Sequence, residues 1–274
     1  MKLTMDMLRA FAQHLYREEK SRATCEKYLR DVKNLYMYLQ DRALTRELVL
    51  AWKKQLTEDG YAVRSVNSML AGVNRLMDFL GLADFKVKSL RTQKQTYCAE
   101  ELTKSEYLRL LKAAGNNRQL NLVLQTICST GIRVSELRFF TVEALKQGQV
   151  TVDCKNKTRT VLVPGKLKNM LLSYAQSRGI QTGPVFVTKN GKPLDRSNIW
   201  SAMKKLCKAA GVAASKVFPH NLRKLFARTF YGIEKDIAKL ADILGHSSIN
   251  TTRIYIISTG KEHLQKIEQL HLLL

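Results

Sequence analysis

Four local patterns in the 274-residue chain place reactive side chains at regular spacing. In Thr130-Gly131-Ile132-Arg133-Val134-Ser135-Glu136-Leu137, a glycine ends one helical run just before another. Arg133 then falls near a helix N-terminus, where free N–H groups and the dipole favour an anion. In His220-Asn221-Leu222-Arg223, preceded by Phe218-Pro219, the i, i+3 spacing puts His220 and Arg223 on one helical face. Lys155 and Lys157 sit in a turn-like stretch. The fourth pattern runs from Leu244-Gly245-His246 to Arg253-Ile254-Tyr255. One unbroken helix over those residues turns His246 and Tyr255 to opposite faces. With Gly245 as a C-cap and Ser248 or Asn250 as the next N-cap, a helix–turn–helix brings both to one place.

Each pattern alone has an ordinary reading as a solvated basic face, a soluble turn or a core tyrosine. Together they supply two arginines, two histidines, a lysine and a tyrosine, without an acidic metal cluster or a GxxxxGK[ST] loop. That set fits attack of a hydroxyl on a phosphodiester with no metal and no cofactor. Two arginines fork onto the non-bridging oxygens and stabilise the charge that accumulates in the transition state. A phenol, with a pKa of about 10, needs a base or a positive field to attack at neutral pH. A lysine or histidine must protonate the departing 5′-oxygen.

Composition points to the same substrate. The formal net charge is +23, from 46 basic and 23 acidic side chains. A surplus of that size is self-repelling, and it ranks nucleic acid ahead of an anionic membrane surface as the compensating partner. It is spread along the chain, with 18 basic against 11 acidic residues in 1–95 and 28 against 12 in 96–274. No apolar run reaches 18 residues and the start lacks a signal-type apolar region, so no membrane association is expected. The five cysteines, the closest pair 26 residues apart, form no CxxC or Cys/His cluster. Reduced thiols in a cytoplasm are expected, with neither disulfides nor zinc.

The elements that must hold these residues are mostly helical. Leu8, Phe11 and Leu15 follow a cap at Thr4. Tyr28, Val32, Leu35 and Leu39 follow Thr24, Leu48, Trp52 and Leu56 mark a third stripe, and Val66 to Leu80 a fourth that ends at Gly81. That spacing predicts four amphipathic helices over residues 1–85. Residues 86–99 lose the period and carry Lys86, Lys88, Arg91 and Lys94 with no acid before Glu100, which reads as a basic linker lying along a phosphate backbone. Helices resume at Leu102, a period of two around Val150–Val152 and Val161–Val163 predicts a β-hairpin with a basic tip, and four more helices follow. The fold class expected is therefore mainly α with one small antiparallel sheet. It comprises a helical domain over 1–85, a linker over 86–99, and a mixed α/β domain over 100–274 with a tail helix.

At this level of detail the chain resembles the tyrosine recombinases, or phage-integrase family, in the two-domain layout of the Xer recombinases. TGIRVSEL looks like the family's first-arginine box, HNLR like its HxxR box, and LGHSSINTTRIY like its GH…Y box. The resemblance implies that Arg133 and Arg223 clamp the scissile phosphate, that His220 is a proton-transfer and phosphate contact, and that His246 donates a hydrogen bond to the phosphate. Tyr255 would form a 3′-phosphotyrosyl bond. The family's general-acid lysine best matches Lys155, with Lys157 open, and Glu136 matches a supporting acid. Where the family commonly has histidine after the second arginine, this chain has Lys224, which implies tuning of the site.

The resemblance further implies a core-binding first domain, no additional arm-binding region before it, and a tetramer on two double-stranded DNA sites. Leu264, Ile267 and Leu270 of the tail would dock on a neighbouring protomer, and an accessory protein is possible. The setting would be cytoplasmic and nucleoid-associated. The expected reaction is site-specific recombination through a Holliday junction. A type IB topoisomerase and a non-catalytic DNA-binding factor are the alternatives.

Overall fold

The structure, a computed structural model, describes residues 1–91, 101–154, 157–256 and 269, without the side chains of Cys154 and Lys157. The chain forms two compact units, Met1–Lys94 and Gln95–Leu274.

The first unit is built from α1 (Met5–Arg17), α2 (Arg22–Leu39), α3 (Arg46–Glu58) and α4 (Val63–Phe79). Side-chain oxygens of Thr4, Ser21 and Thr45 accept the otherwise orphaned N–H groups at the first three starts. The second cap is thus Ser21 and not Thr24, which lies in the first turn and hydrogen-bonds the Ser21 hydroxyl at 2.8 Å. Phe11, Leu15, Val32, Leu35, Val49, Trp52, Val66, Leu70, Val73 and Met77 form the core. Trp52 satisfies its indole N–H on Asn34 Oδ1 at 2.9 Å. In the third stripe Val49 is the buried position and Leu48 packs at its edge.

The start of the expected linker is tied to this unit. Asn74 accepts from the Val87 N–H at 3.1 Å and donates to the Val87 carbonyl at 2.9 Å. Asn67 does the same for Leu90, at 2.7 and 3.0 Å. Two α4 amides thus pair with residues 86–91 as a neighbouring strand would, and Val87 is buried among the core residues. Lys86 pairs with Asp78, Lys88 and Arg91 are exposed, and Lys94 lies outside the described residues.

The second unit contains α5 (Lys104–Ala113), α6 (Arg118–Thr130), a 3₁₀ turn (Val134–Phe139), α7 (Val142–Gln147), β1 (Gln149–Cys154) and β2 (Lys157–Leu162). Beyond these come α8 (Gly165–Ser177), α9 (Arg196–Ala210), α10 (Pro219–Glu234), α11 (Ile237–Leu244) and α12 (Ile249–Ile256). Helix α6 is central and nearly enclosed. Leu120, Leu122, Val123, Leu124 and Ile127 are buried, and its buried threonines, Thr126 and Thr130, return their hydroxyls to carbonyls one turn back. The antiparallel pair runs in the register Val150↔Val161, Val152↔Arg159 and Cys154↔Lys157, so Val150, Val152 and Val161 join the core while Thr151 and Thr160 face outward. Pro219 opens α10 at a position where its missing N–H costs nothing.

Gly131 caps α6 with φ +65°, and a Cβ there would stand 2.4 Å from Phe226 Cδ1 and 2.9 Å from Leu244 Cδ2. Left-handed backbone and overlap both penalise a side chain. Gly131→Ala is therefore expected to lower the unfolding free energy by about 2–4 kcal/mol, read as a shift in the urea midpoint against the native chain. A shift below about 0.5 kcal/mol would show that neither the left-handed backbone nor the overlap with Phe226 and Leu244 costs the fold appreciably.

Candidate active site

The 3₁₀ turn positions Arg133. Its own N–H donates to Glu136 Oε2 at 2.8 Å, and its guanidinium donates to Oε1 at 3.0 Å. The side chain is 45 % exposed, so its other donors remain open to solvent. Glu136 is 1 % exposed and binds a second cation, Arg159, whose Nη2 donates to Oε2 at 2.6 Å. Arg159 Nη1 also reaches the Ile243 carbonyl at 2.9 Å, near the end of α11. One buried carboxylate thereby joins the 3₁₀ turn to β2, and Arg159 joins both to the chain just before His246. Gly245, at φ +64°, is where that chain passes Arg159, and a Cβ would stand 2.3 Å from Arg159 Cδ.

Arg223, 1 % exposed, lies in the second turn of α10. Its guanidinium donates to the carbonyls of Gly131 and, at 2.8 Å, Leu244. Its Nη2 also donates to His246 Nε2 at 2.9 Å. Its Nε–H is buried and has no partner among the described residues. Burial, then the Arg133 charge, pulls its pKa down to about 10, with the Tyr255 hydroxyl and Glu136 partly opposing, so it stays cationic at neutral pH.

Tyr255 is 7 % exposed on α12. Its ring centroid lies 5.2 Å from that of His220 and 5.1 Å from that of His246, with the latter two rings stacked at 23°. Arg223 Cζ lies 6.0 Å from the same ring. The turn after Gly245 makes this possible: α11 ends there, α12 begins at Ile249, and His246 Nδ1 meets Thr252 Oγ1 at 2.9 Å.

Both histidines are held neutral. Burial, then Arg223, Arg133 and Arg159, pulls His246 down to about 4. Burial, then Lys224, Arg223, Arg133 and Arg196, pulls His220 below its ordinary value. A depressed folded-state pKa contributes stability above the unfolded value of 6.5, and that stability is lost as pH falls toward about 4. The unfolding midpoint of the native chain is accordingly expected to drop more steeply between pH 6.5 and 4.5 than that of a His246→Gln variant. Parallel curves would show that the imidazole does not carry the linkage.

Five of the residues singled out above thus meet in one place: Arg133, His220, Arg223, His246 and Tyr255, with Glu136 beneath them. Lys155 lies outside the described residues. The backbone of Lys157 pairs with that of Cys154, two positions before Arg159 on β2. Lys224 pairs with Glu101 at 3.3 Å, beside Arg228 at 2.6 Å on the same carboxylate. The tail residues Leu264, Ile267 and Leu270 lie outside the described residues. Among the described residues no group of three His, Cys, Asp or Glu could hold a metal ion, and no helix is long and apolar enough to cross a membrane. Sequence reading passed over two participants, Arg159 and Thr252. Arg159 sits two positions before Val161 on an alternating strand, which marks it as an arginine on the apolar face. Thr252 precedes Tyr255 by three and shares its helical face.

The phage integrase family matches residues 100–262. The chain belongs to that family. The N-terminal SAM-like domain of phage integrases matches residues 8–83, so both units of this phage-integrase chain are covered. Tyrosine recombinase XerA of Pyrococcus furiosus is 29 % identical, over 99 % of this chain and 96 % of its own length. Tyrosine recombinase XerD of Halalkalibacterium halodurans is also 29 % identical, over 86 % and 87 %. Among solved structures, a lambda integrase dimer bound to a COC′ core site superposes with a TM-score of 0.76 at 18 % identity, covering 93 % of this chain and 95 % of that one. At that identity the last comparison bears on the fold alone.

Proposed function

We infer that this phage-integrase chain is a site-specific DNA recombinase that cleaves and rejoins strands through a tyrosyl–phosphate bond. The observation that carries the reading is Tyr255 packed against the rings of both His220 and His246 beside the buried Arg223. A phenol, two neutral imidazoles and a forked cation in one place suit a phosphodiester and little else.

In the proposed step Arg133 and Arg223 hold the non-bridging oxygens, using the open donors of the first and the Nε–H of the second, which has no partner among the described residues. Neutral His220 accepts the phenol proton as Tyr255 Oη bonds to phosphorus. The bond from phosphorus to the 5′-oxygen breaks, and a hairpin lysine, Lys155 by its place in the family pattern or otherwise Lys157, gives that oxygen its proton. His246 donates to a phosphate oxygen. The phosphoester energy is kept in the tyrosyl bond, so attack by a second 5′-hydroxyl reseals the strand without a nucleotide.

The partner follows from the charge and the relatives. Lambda integrase is seen as a dimer on a DNA core site and as a tetramer on a Holliday junction. We extend the same to this chain: double-stranded target sites, a tetramer on two of them joined through the C-terminal tails, and action on the nucleoid, with an accessory protein where a site demands one. The exposed Lys88 and Arg91 lie beside the core-binding unit they would help close on the duplex. The test is incubation with a nicked duplex whose site is selected by the full chain from a randomised pool. A denaturation-resistant protein–DNA adduct is expected, followed by strand exchange between two labelled sites. Absence of the adduct would sink the reading, and relaxation of supercoils without exchange would make the chain a topoisomerase.

A further inference from the structure

The partners of His246 fix its protons. Arg223 Nη2 stands 2.9 Å from Nε2, and a guanidinium offers donors only. Nε2 therefore accepts with a bare lone pair, and the ring proton sits on Nδ1, 2.9 Å from Thr252 Oγ1. Thr252 has no exposed surface, whereas His246 is only half-buried, so water reaches the imidazole but not the hydroxyl. Among the described residues the charges acting on the imidazole are those of Arg223 from α10, Arg133 before the 3₁₀ turn and Arg159 from β2, with His220 of α10 adding to them when protonated; the Glu136 carboxylate lies behind Arg133 and Arg159, bound to both. The faces of the ring are closed on one side by Tyr255 of α12. This arrangement is the reverse of what the proposed reaction needs, because donation to a phosphodiester oxygen requires the proton on Nε2.

We propose that Thr252 is a positioning residue that lets His246 exchange one tautomer for the other as DNA arrives. Its hydroxyl accepts from Nδ1–H while Nε2 accepts from Arg223. When Arg223 turns its donor onto the phosphodiester, the hydroxyl rotates and donates to bare Nδ1 while Nε2–H points at the phosphate. The ring stays neutral throughout: Nδ1 gives one proton to solvent water and Nε2 takes one from it. No charge is added beside three arginines. A carboxylate in place of Thr252 could only accept and a backbone amide could only donate, whereas a hydroxyl does both. The inference rests on the phosphodiester reading above.

The test uses the full chain labelled with ¹⁵N-histidine, with His246 assigned by its loss in a His246→Gln variant. Long-range ¹H–¹⁵N spectra of the free native protein at pH 7 should show Nδ1 protonated and Nε2 bare. In a Tyr255→Phe chain on the selected duplex the pattern should invert. Thr252→Val keeps the shape and removes the hydroxyl; it should mix the two tautomers in the free protein and slow adduct formation by about 10–100-fold. Affinity for the duplex should stay within about twofold, and Thr252→Ser should restore both readouts. Thermal melts establish that each variant is folded. Protonated Nε2 in the free native protein, no inversion on DNA, or a valine variant equal to the serine one overturns the proposal. A native chain that forms no adduct overturns the phosphodiester reading and the DNA-bound half of the exchange, while the free-protein spectra separately decide whether Thr252 holds Nδ1.

Discussion

With Tyr255 replaced by phenylalanine, the chain binds its selected duplex as the native chain does and leaves no covalent adduct. The substitution removes one oxygen and keeps the ring, so the packing against Ala227, Leu240 and Leu244 and the stacking on His246 persist. Stability should change by no more than about 1 kcal/mol. The rate of strand cleavage should fall by at least about 10⁴-fold, because loss of a nucleophile leaves no alternative path to the covalent intermediate. The measurement is a denaturing gel of labelled nicked duplex against time. An adduct of equal yield from the variant would move the nucleophile to another residue and dismantle the assignment of all five side chains.

The second large effect belongs to Arg223→Lys. The guanidinium spans three acceptors at once, the carbonyls of Gly131 and Leu244 and the Nε2 of His246. An ammonium on a flexible stem keeps the charge but cannot fork across that triangle. At least one buried carbonyl is left without a partner, costing about 1–3 kcal/mol of stability. The loss of two-pronged contact to the transition state should slow adduct formation by about 10³-fold. Unfolding and cleavage are measured on the same preparation at a temperature where the variant is fully folded. A variant that cleaves at the native rate while being less stable would reduce Arg223 to a structural rivet.

Much of this was legible from local pattern. The helix start at Thr4, the stops at Gly131 and Gly245, and the two-residue period of the hairpin are signals carried within four residues of each other. So is the break after Gly245 that turns Tyr255 back toward His246. What escaped was carried by contacts far apart in sequence. Asn67 and Asn74 look like indifferent helix-surface residues until residues 86–91 come to lie against them. Lys224 finds Glu101 across more than a hundred positions. Arg159 was hidden for a different reason: its partner Glu136 is itself a motif residue, and nothing local says that one carboxylate serves two arginines. The proton positions on His246 are further still from the sequence, since they depend on which atoms of Arg223 and Thr252 meet the ring.

The two carbonyls under Arg223 are those of the cap residue of α6 and the last residue of α11. Both helices therefore aim the negative ends of their peptide dipoles at one guanidinium. These fixed half-charges replace the water that burial removes, so the cation is oriented before any substrate arrives. They also make Arg223, proposed above to hold the phosphate, a keystone of folding. A lineage that gave up strand cleavage and lost Tyr255 would still be selected to keep Arg223, because the ends of two helices meet on it. Retention of that arginine without the tyrosine, in an inactive descendant, would record the fold's need for it after the chemistry had gone.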